Sequence, residues 1–230
     1  MLGLQKKISF HATDAEEEKY IKKVFGEDVT VLIAGNFPRK FTAVSPMAKE
    51  KGDTLKLVSI ALIGPVKNHL LVLKALSTYK NKIEYHIYGP VKDMEYWQLC
   101  LDEIKKLPQN IIVEYHGEIQ PQEVESCLQK GHVFILPSLS ENFGHSFYEA
   151  LTEGKPVISS NFTPWQNLQR AKAGINVELN STSIRDAIDR FAEMNQAEYN
   201  LWSQGAIQYA EAALNIDAIK KQYKIIFGQL

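Results

Sequence analysis

From Leu55 onward, short apolar runs alternate with stretches of helical periodicity, and this alternation constrains the fold more than any other feature of the sequence. Six of these runs have the length and apolar, β-branched character of strands. They cover residues 55–62, 83–88, 111–115, 133–136, 157–159 and 175–179. Strands that alternate with helices form βαβ units, whose strands lie parallel in one sheet. The pattern therefore predicts an α/β protein with a mostly parallel sheet.

The stretches between the runs carry apolar residues at helical spacing. In residues 93–107, for example, Trp97, Cys100, Leu101 and Ile104 recur at i, i+3, i+4 and i+7. Helices are predicted over residues 68–79, 93–107, 122–130, 146–153, 184–193 and 197–227, the last with a break near 215–217.

The first 54 residues have a different character. A strand-like stretch at 8–10 precedes a charged helix that ends near Phe25, and capping-box spacing from Thr13 to Glu16 marks the start of this helix. A strand is predicted at 29–34. The residues that follow, up to about 53, are rich in Pro, Gly and charge, as in a linker.

Composition excludes several classes of protein. The 230 residues include 26 Lys and Arg against 27 Asp and Glu, so a net charge of -1 gives no basic field for nucleic acid. Two cysteines are too few for a disulfide framework, which favours a reducing compartment. No run approaches the ~18 apolar residues of a membrane span, and the N-terminus lacks the apolar region of a signal peptide. We therefore expect a cytoplasmic protein.

In an open parallel sheet, ligands bind beyond the carboxyl ends of the strands. The loop after the first run places Lys67 at a helix start, where a lysine fits either a phosphate site or an ordinary surface. Gly89 and Gly117 follow the second and third runs. A glycine there either lets a ligand approach the backbone or simply turns the chain.

The loop after the fourth run carries the strongest signal. Glu141 lies in the loop and Glu149 in the helix that follows, with small residues around Gly144 between them. Backbone N–H groups at such a helix start can face a phosphate, and a carboxylate one turn further can accept two hydrogen bonds from a vicinal diol. On spacing alone, this interpretation has an equally supported alternative. In the alternative, Glu149 is simply a charge on the helix and Glu141 an exposed acid in the loop.

The stretch PSLSENFGHSFYEALTEGKPVISS resembles the signature of the retaining GT-B glycosyltransferases, group 1 or family 4. The signature is two glutamates separated by seven residues, in the frame P-S-x-x-E-x-F-G with G-K-P-V-I after it. The resemblance extends over residues 55–227. It implies a Rossmann-like, three-layer α/β/α fold, the C-terminal half of a GT-B enzyme, with C-terminal helices that pack back. Residues 55–230 would form the nucleotide-sugar-binding domain, and residues 1–54 a remnant of an N-terminal domain and linker.

The resemblance also implies roles for individual residues. Glu141 and Lys67 would be catalytic, with Glu141 facing the donor sugar and Lys67 contacting the diphosphate. Glu149 would bind the ribose hydroxyls. The remaining donor-binding residues would be Glu118 and Ile119 along the base, Asn142 and Phe143, and Gly144 and His145, which offer backbone N–H groups. No metal ligand and no cofactor is expected beyond a UDP-, GDP- or ADP-sugar as the donor.

The implied function is transfer of a hexosyl group, with retention, to a sugar, glycan or lipid-linked acceptor in glycan or polysaccharide biosynthesis. Because the chain is short for two such domains, the acceptor domain would act in trans, or through peripheral membrane contact.

Leu62 stands where the family usually has an arginine, a loss that costs ~2 to 4 kcal/mol of transition-state stabilisation if uncompensated. His69 or Lys92 are the candidate replacements. The alternative is a catalytically inactive nucleotide-sugar-binding or interaction module.

Overall fold

The computed structural model describes residues 8–39 and 46–228. These residues form two compact units. The smaller contains residues 8–38 and 213–228, and the larger contains residue 39 and residues 46–212.

The smaller unit opens with strand β1 (Ser9–Ala12), helix α1 (Ala15–Phe25) and strand β2 (Thr30–Ile33). The two strands pair in parallel, with Ser9 opposite Thr30. Asp14 caps the helix, since its Oδ1 accepts hydrogen bonds from the backbone N–H of Glu16 and Glu17 at 2.8 Å. The predicted strand, helix and strand are confirmed, with the cap one residue later than the sequence spacing indicates.

The larger unit is built on one six-stranded sheet in which every strand is parallel to its neighbours. Its strands are β3 (Leu55–Ile60), β4 (Ile83–Tyr88), β5 (Ile111–Tyr115), β6 (Val133–Leu136), β7 (Val157–Ser160) and β8 (Gly174–Val177). Their order across the sheet is β5-β4-β3-β6-β7-β8. The strand order therefore reverses between β3 and β6, and such a switch point opens a crevice at the carboxyl ends of the strands.

Helices connect strands β3 to β7, and further helices follow β8. They are α2 (His69–Leu76), α3 (Met94–Ile104), α4 (Val124–Leu128), α5 (His145–Thr152), α6 (Ser181–Ala192) and α7 (Gln196–Ala213). The helix expected at 122–130 is shorter than predicted. Pro121 starts a 3-10 turn, Pro121–Glu123, and the α-helical part that follows has five residues.

Helices cover both faces of the sheet, which confirms the three-layer, Rossmann-like α/β/α class. On one face Leu57, Ile87 and Ile135 share a buried core with residues of α2, α3 and α6. On the other face the rings of Phe134 and Phe147 meet at 5.2 Å, which seats α5 against the sheet. Burial on both faces explains why the central strand β6 is a continuous apolar run, whereas the edge strand β5 is mostly exposed.

The last helix, α8 (Ile216–Phe227), belongs to the smaller unit. The side chain of Asn215 caps it by accepting from the backbone N–H of Ala218 at 2.9 Å, which accounts for the predicted break. Within the smaller unit, Gly35 donates its N–H to Gln222 at 3.1 Å. No helix within residues 8–39 and 46–228 is both long enough and apolar enough to cross a lipid bilayer.

Candidate functional site

The loops that follow β3 and β6 lie side by side, because these two strands are neighbours at the switch point. Two hydrogen bonds join the loops. Asn68 donates its side-chain amide to the carbonyl of Pro137 at 3.2 Å, and the backbone N–H of Leu139 donates to the carbonyl of Val66 at 2.8 Å. The strand order thus brings together two segments that the sequence separates.

An ion pair between Lys67 and Glu141 stands where these loops meet. Lys67 Nζ is 2.6 Å from Glu141 Oε1, and the same carboxylate oxygen accepts a hydrogen bond from Ser138 Oγ at 2.8 Å. The side chains are 24% and 8% exposed, so the pair is largely withdrawn from solvent without being sealed. Ser160 Oγ in turn donates to the carbonyl of Ser138. The carboxylate of Glu141 is therefore held in a fixed position over the switch point.

The start of α5 offers backbone N–H groups beside this pair. Gly144 precedes the helix with φ +77°, and no side chain caps the first turn. Trp165 holds the approach to the helix, since its Nε1 donates to the carbonyl of Phe143 at 2.6 Å. Uncapped N–H groups and the helix dipole favour an anion at this position.

Glu149, one turn into α5, faces a cavity of about 450 Å³. Arg39, Glu118 and Ile119 line the same cavity, together with the backbone that follows β3 and β4. Burial raises the pKa of Glu149 to about 7, while the guanidinium of Arg39 acts in the opposite direction. The carboxyl group therefore keeps its proton to a higher pH than an ordinary glutamate.

Gly89 shapes the floor of this cavity. Its φ is +129°, and a Cβ at this position would come within 1.9 Å of the carbonyl oxygen of Ala61. Only glycine lets the chain that leaves β4 pass so close to the chain that leaves β3.

A second cavity of about 370 Å³ lies on the other side of Leu62, which lines both cavities and is 45% exposed. Lys67 and Lys92 line this second cavity. Lys92 therefore shares a cavity with Lys67, and its role as a replacement for the missing arginine stays a prediction. The expectation for His69 is wrong, because its ring is fully buried and burial lowers its pKa to about 4, which leaves it uncharged.

The remaining residues predicted for the site are divided between two places. Glu118 and Ile119 line the first cavity, and their role along the base stays a prediction. Asn142 and Phe143 precede α5 and His145 is its first residue, and none of the three lines either cavity.

Sequence reasoning missed Arg39 and Ser138. Arg39 falls in a stretch predicted as a linker, where no periodicity points to a role, yet its Nη1 donates to the carbonyl of Pro121 at 2.5 Å and its side chain lines the first cavity. Ser138 was visible in the P-S-x-x-E frame, because a serine three residues before a glutamate in a tight loop can donate to that carboxylate.

A larger cavity, about 660 Å³, lies in the smaller unit. The residues that line it are Phe37, Lys220, Tyr223, Lys224, Phe227 and Gly228. None of the predicted site residues and no carboxylate is among them. The candidate site is therefore the ion pair at the switch point with its two adjoining cavities.

Comparison with known proteins concerns the family and the fold of this chain. The sequence model of the family described as "Glycosyl transferases group 1" matches residues 41–208, which is well over half of the chain. No curated protein sequence matches.

Solved structures share the fold at low sequence identity. S. aureus TarM, as a mutant in complex with fondaparinux, α-GlcNAc-glycerol and UDP, has a TM-score of 0.74 and 18% identity over 97% of this chain. Sucrose-phosphate synthase from Thermosynechococcus elongatus has a TM-score of 0.74 and 18% identity over 96% of the chain. Anabaena HepE in complex with UDP and glucose has a TM-score of 0.72 and 16% identity over 96%. The chain spans 44%, 58% and 63% of the lengths of these three proteins.

Proposed function

The chain belongs to the group 1 glycosyltransferases, and from this premise we propose that it carries the donor-binding half of a retaining enzyme. The reaction is transfer of a hexosyl group from a nucleoside-diphosphate sugar to an acceptor hydroxyl. The bond between the anomeric carbon and the diphosphate oxygen breaks, and a bond from the same carbon to the acceptor oxygen forms. The observation that carries the proposal is the Lys67–Glu141 pair at the switch point, next to a cavity that holds Glu149.

The parts of the donor have a consistent order along this site. The base lies along Glu118 and Ile119, and the ribose hydroxyls donate to the carboxylate of Glu149. The diphosphate reaches Lys67 and the uncapped start of α5. The donor sugar faces Glu141. No metal is needed in this arrangement, since cationic side chains and backbone N–H groups supply the positive charge.

Charge stabilisation on the leaving diphosphate is the main catalytic contribution that these residues offer. In the free protein, Lys67 is paired with Glu141, which orients the ammonium group over the switch point. Negative charge that develops on the leaving oxygen attracts this ammonium group more strongly in the transition state than in the ground state, and such differential stabilisation accelerates the reaction. Lys92, on the same cavity, is the second cation available in place of the family arginine.

The acceptor side of the reaction needs residues outside this unit. We propose a sugar, glycan or lipid-linked acceptor, held by a further domain in the same protein, by a domain in trans, or at a membrane surface. Polysaccharide or glycan assembly in the cytoplasm is the setting that suits such a donor half. The structure of HepE with UDP and glucose supports a nucleoside-diphosphate sugar as the donor class.

A second candidate function is binding of a nucleotide sugar without transfer. Leu62 favours it, because an apolar side chain stands between the two cavities where the family usually has a cation. Loss of one of two cations at the leaving diphosphate costs ~2 to 4 kcal/mol of transition-state stabilisation if uncompensated, which lowers the rate by about 30- to 900-fold.

Calorimetric titration with UDP, GDP and ADP tests the donor site. One of the three is expected to bind, and Glu149→Ala is expected to weaken that binding, while Glu95→Ala on the exposed side of α3 leaves it unchanged. The donor-site assignment fails if none of the three binds at millimolar concentration. An assay for release of nucleoside diphosphate from the sugar nucleotide, with an acceptor domain present, separates the two candidate functions. Release supports a transferase, and binding without release supports a module that only binds the nucleotide sugar.

A further inference from the structure

A second cluster of ligand-type side chains lies on the face of the sheet that α4 covers. It consists of His86 on β4, Glu114 on β5 and His116 just after β5. His86 and Glu114 are partners in the parallel register of these strands, and residues two apart, such as Glu114 and His116, project from the same face of a strand. The fold thus places three metal-ligand side chains together.

The distances within the cluster fit a metal ion. His86 Nδ1 is 3.1 Å from His116 Nε2 and 3.4 Å from Glu114 Oε2, and His116 Nε2 is 3.6 Å from the same carboxylate oxygen. Ligand atoms about 2.0–2.1 Å from a tetrahedral zinc ion stand about 3.3 Å from one another. A circle through the three observed atoms has a radius of about 2 Å, so an ion just above their plane reaches all three at normal bond lengths.

The surroundings hold the ligands in position. The ring of His116 stacks on the buried ring of Tyr88, with centroids 4.4 Å apart and an angle of 12° between planes. The second nitrogen of His86, Nε2, faces Glu84 Oε2 at 3.9 Å, and Glu84 is itself paired with Lys56 at 3.0 Å. At 3.9 Å the carboxylate of Glu84 is too far to accept a hydrogen bond from His86, so it acts on the ring through its charge alone.

We propose that His86, Glu114 and His116 bind a zinc ion, with water as the fourth ligand. Two imidazole nitrogens and one carboxylate oxygen suit zinc better than the hard ions magnesium and calcium, which prefer oxygen ligands. The side chain of Glu114 is 54% exposed, which leaves the fourth position open to solvent.

This site is separate from the ion pair at the switch point and does not depend on the proposed function. Its position indicates a structural role. The ion would tie β5, the edge strand of the sheet, to β4, and it would fix His116 at the start of the segment that reaches Glu118 and Ile119. Zinc would therefore stabilise the wall of the first cavity without contacting the diphosphate.

Competition with a chromophoric zinc chelator, on the full chain, tests the proposal. The expected result is binding of one zinc ion per chain, with loss of that binding in His116→Ala and in Glu114→Gln. His11→Ala is the matched control, because it removes a histidine of the smaller unit and leaves the cluster intact. Glu84→Gln, which removes a nearby charge and no ligand, is expected to weaken zinc binding less than His116→Ala does.

Thermal unfolding provides a second readout. Zinc is expected to raise the Tm of the wild-type chain and of His11→Ala, and to leave the Tm of Glu114→Gln unchanged, since an ion that binds only the folded state stabilises it. Absence of zinc binding to the wild-type chain overturns the proposal. Equal zinc affinity in the wild type, His116→Ala and Glu114→Gln overturns it too, because the ion would then bind elsewhere.

Discussion

Lys67 and Glu141 are separated by 74 residues in the sequence, yet Nζ of one lies 2.6 Å from Oε1 of the other. This contact exists because β3 and β6 are neighbours in the sheet although two strands lie between them in the sequence. The ion pair therefore connects the topology of the sheet directly with the chemistry proposed for it.

The two partners of this pair are expected to be energetically coupled. Lys67→Met should lower the free energy of unfolding by about 1–3 kcal/mol, because it leaves the mostly buried carboxylate of Glu141 with one donor fewer. Urea unfolding of Lys67→Met, Glu141→Gln and the double variant measures the coupling, expected at about 0.5–3 kcal/mol. Lys92→Met, which removes an exposed lysine of the same cavity, is the control. Strict additivity of the two single changes would contradict the pairing.

The affinity for the nucleotide is expected to rise with pH. The pKa of Glu149 is about 7 in the free protein, and only the ionised carboxylate accepts hydrogen bonds from both ribose hydroxyls. Below this pKa, affinity should fall by up to about tenfold per pH unit. Calorimetry between about pH 6 and pH 8 measures the slope. In Glu149→Gln, only the ionisation of the nucleotide phosphates can make the affinity depend on pH. If the affinity of this variant changed with pH as steeply as that of the wild type, Glu149 would not bind the ribose.

The carboxyl group of Glu149 is expected to lower the free energy of unfolding at high pH. Its pKa is raised from 4.5 to about 7, so the folded chain holds a proton in this interval that the unfolded chain has released. Stability then falls as pH rises through the interval. Glu149→Gln should therefore have a higher Tm than the wild type at pH 8 and nearly the same Tm at pH 5. Glu95→Gln, on the exposed surface of α3, should change neither value. An equal shift at both pH values would mean that the effect is not ionisation.

Restoring a cation at position 62 is expected to strengthen diphosphate binding. Leu62 lines both cavities, so an arginine there would reach a ligand that spans them. One added charge-assisted hydrogen bond is worth ~1.5–3 kcal/mol, or about 10- to 150-fold in affinity. Calorimetry with the nucleoside diphosphate and with the nucleoside alone shows whether the gain comes from the diphosphate. Only the nucleoside diphosphate is expected to bind more tightly. Leu62→Gln, which is polar but uncharged, is the control, and an equal gain in that variant would argue against charge.

Much of the fold was predictable because central strands of the sheet are buried on both faces, which makes a strand such as β6 a continuous apolar run. The bounds predicted for 83–88, 111–115 and 133–136 agree with the structure, although β5 lies at the edge and is mostly exposed. The helix predicted at 122–130 was too long, since Pro121 directs the chain into a 3-10 turn first. Local patterns carry such information on strands and helices, but they do not give the order of strands across the sheet.

The parts of the site that were not predicted depend on that order. Glu114 and His116 have a visible spacing of two, but His86 joins them only because β4 and β5 pair with a particular register. Arg39 belongs to a stretch with no periodic pattern, so its place in the first cavity follows from the path of the chain alone. The positions of Glu118, Ile119 and Glu149 on one cavity agree with the roles predicted from the family resemblance, and those roles stay predictions.

Gly144 gives a test of whether the start of α5 must keep its present shape. Its φ is +77°, and a Cβ would lie 2.8 Å from Cδ2 of Phe147. Gly144→Ala should therefore displace the first turn of α5 and weaken nucleotide binding as well as stability. Gly52→Ala is the matched control, because Gly52 has φ +84° with nothing within 4 Å of the added Cβ. Both substitutions place a Cβ on a backbone with positive φ, which costs about 1–3 kcal/mol in each variant. The difference between the two losses of stability therefore measures the contact with Phe147 alone.

Chemical denaturation measures that difference, and calorimetry shows whether nucleotide binding weakens in parallel. Equal losses of stability in the two variants would mean that backbone conformation alone, and not contact with Phe147, makes glycine necessary at the start of α5.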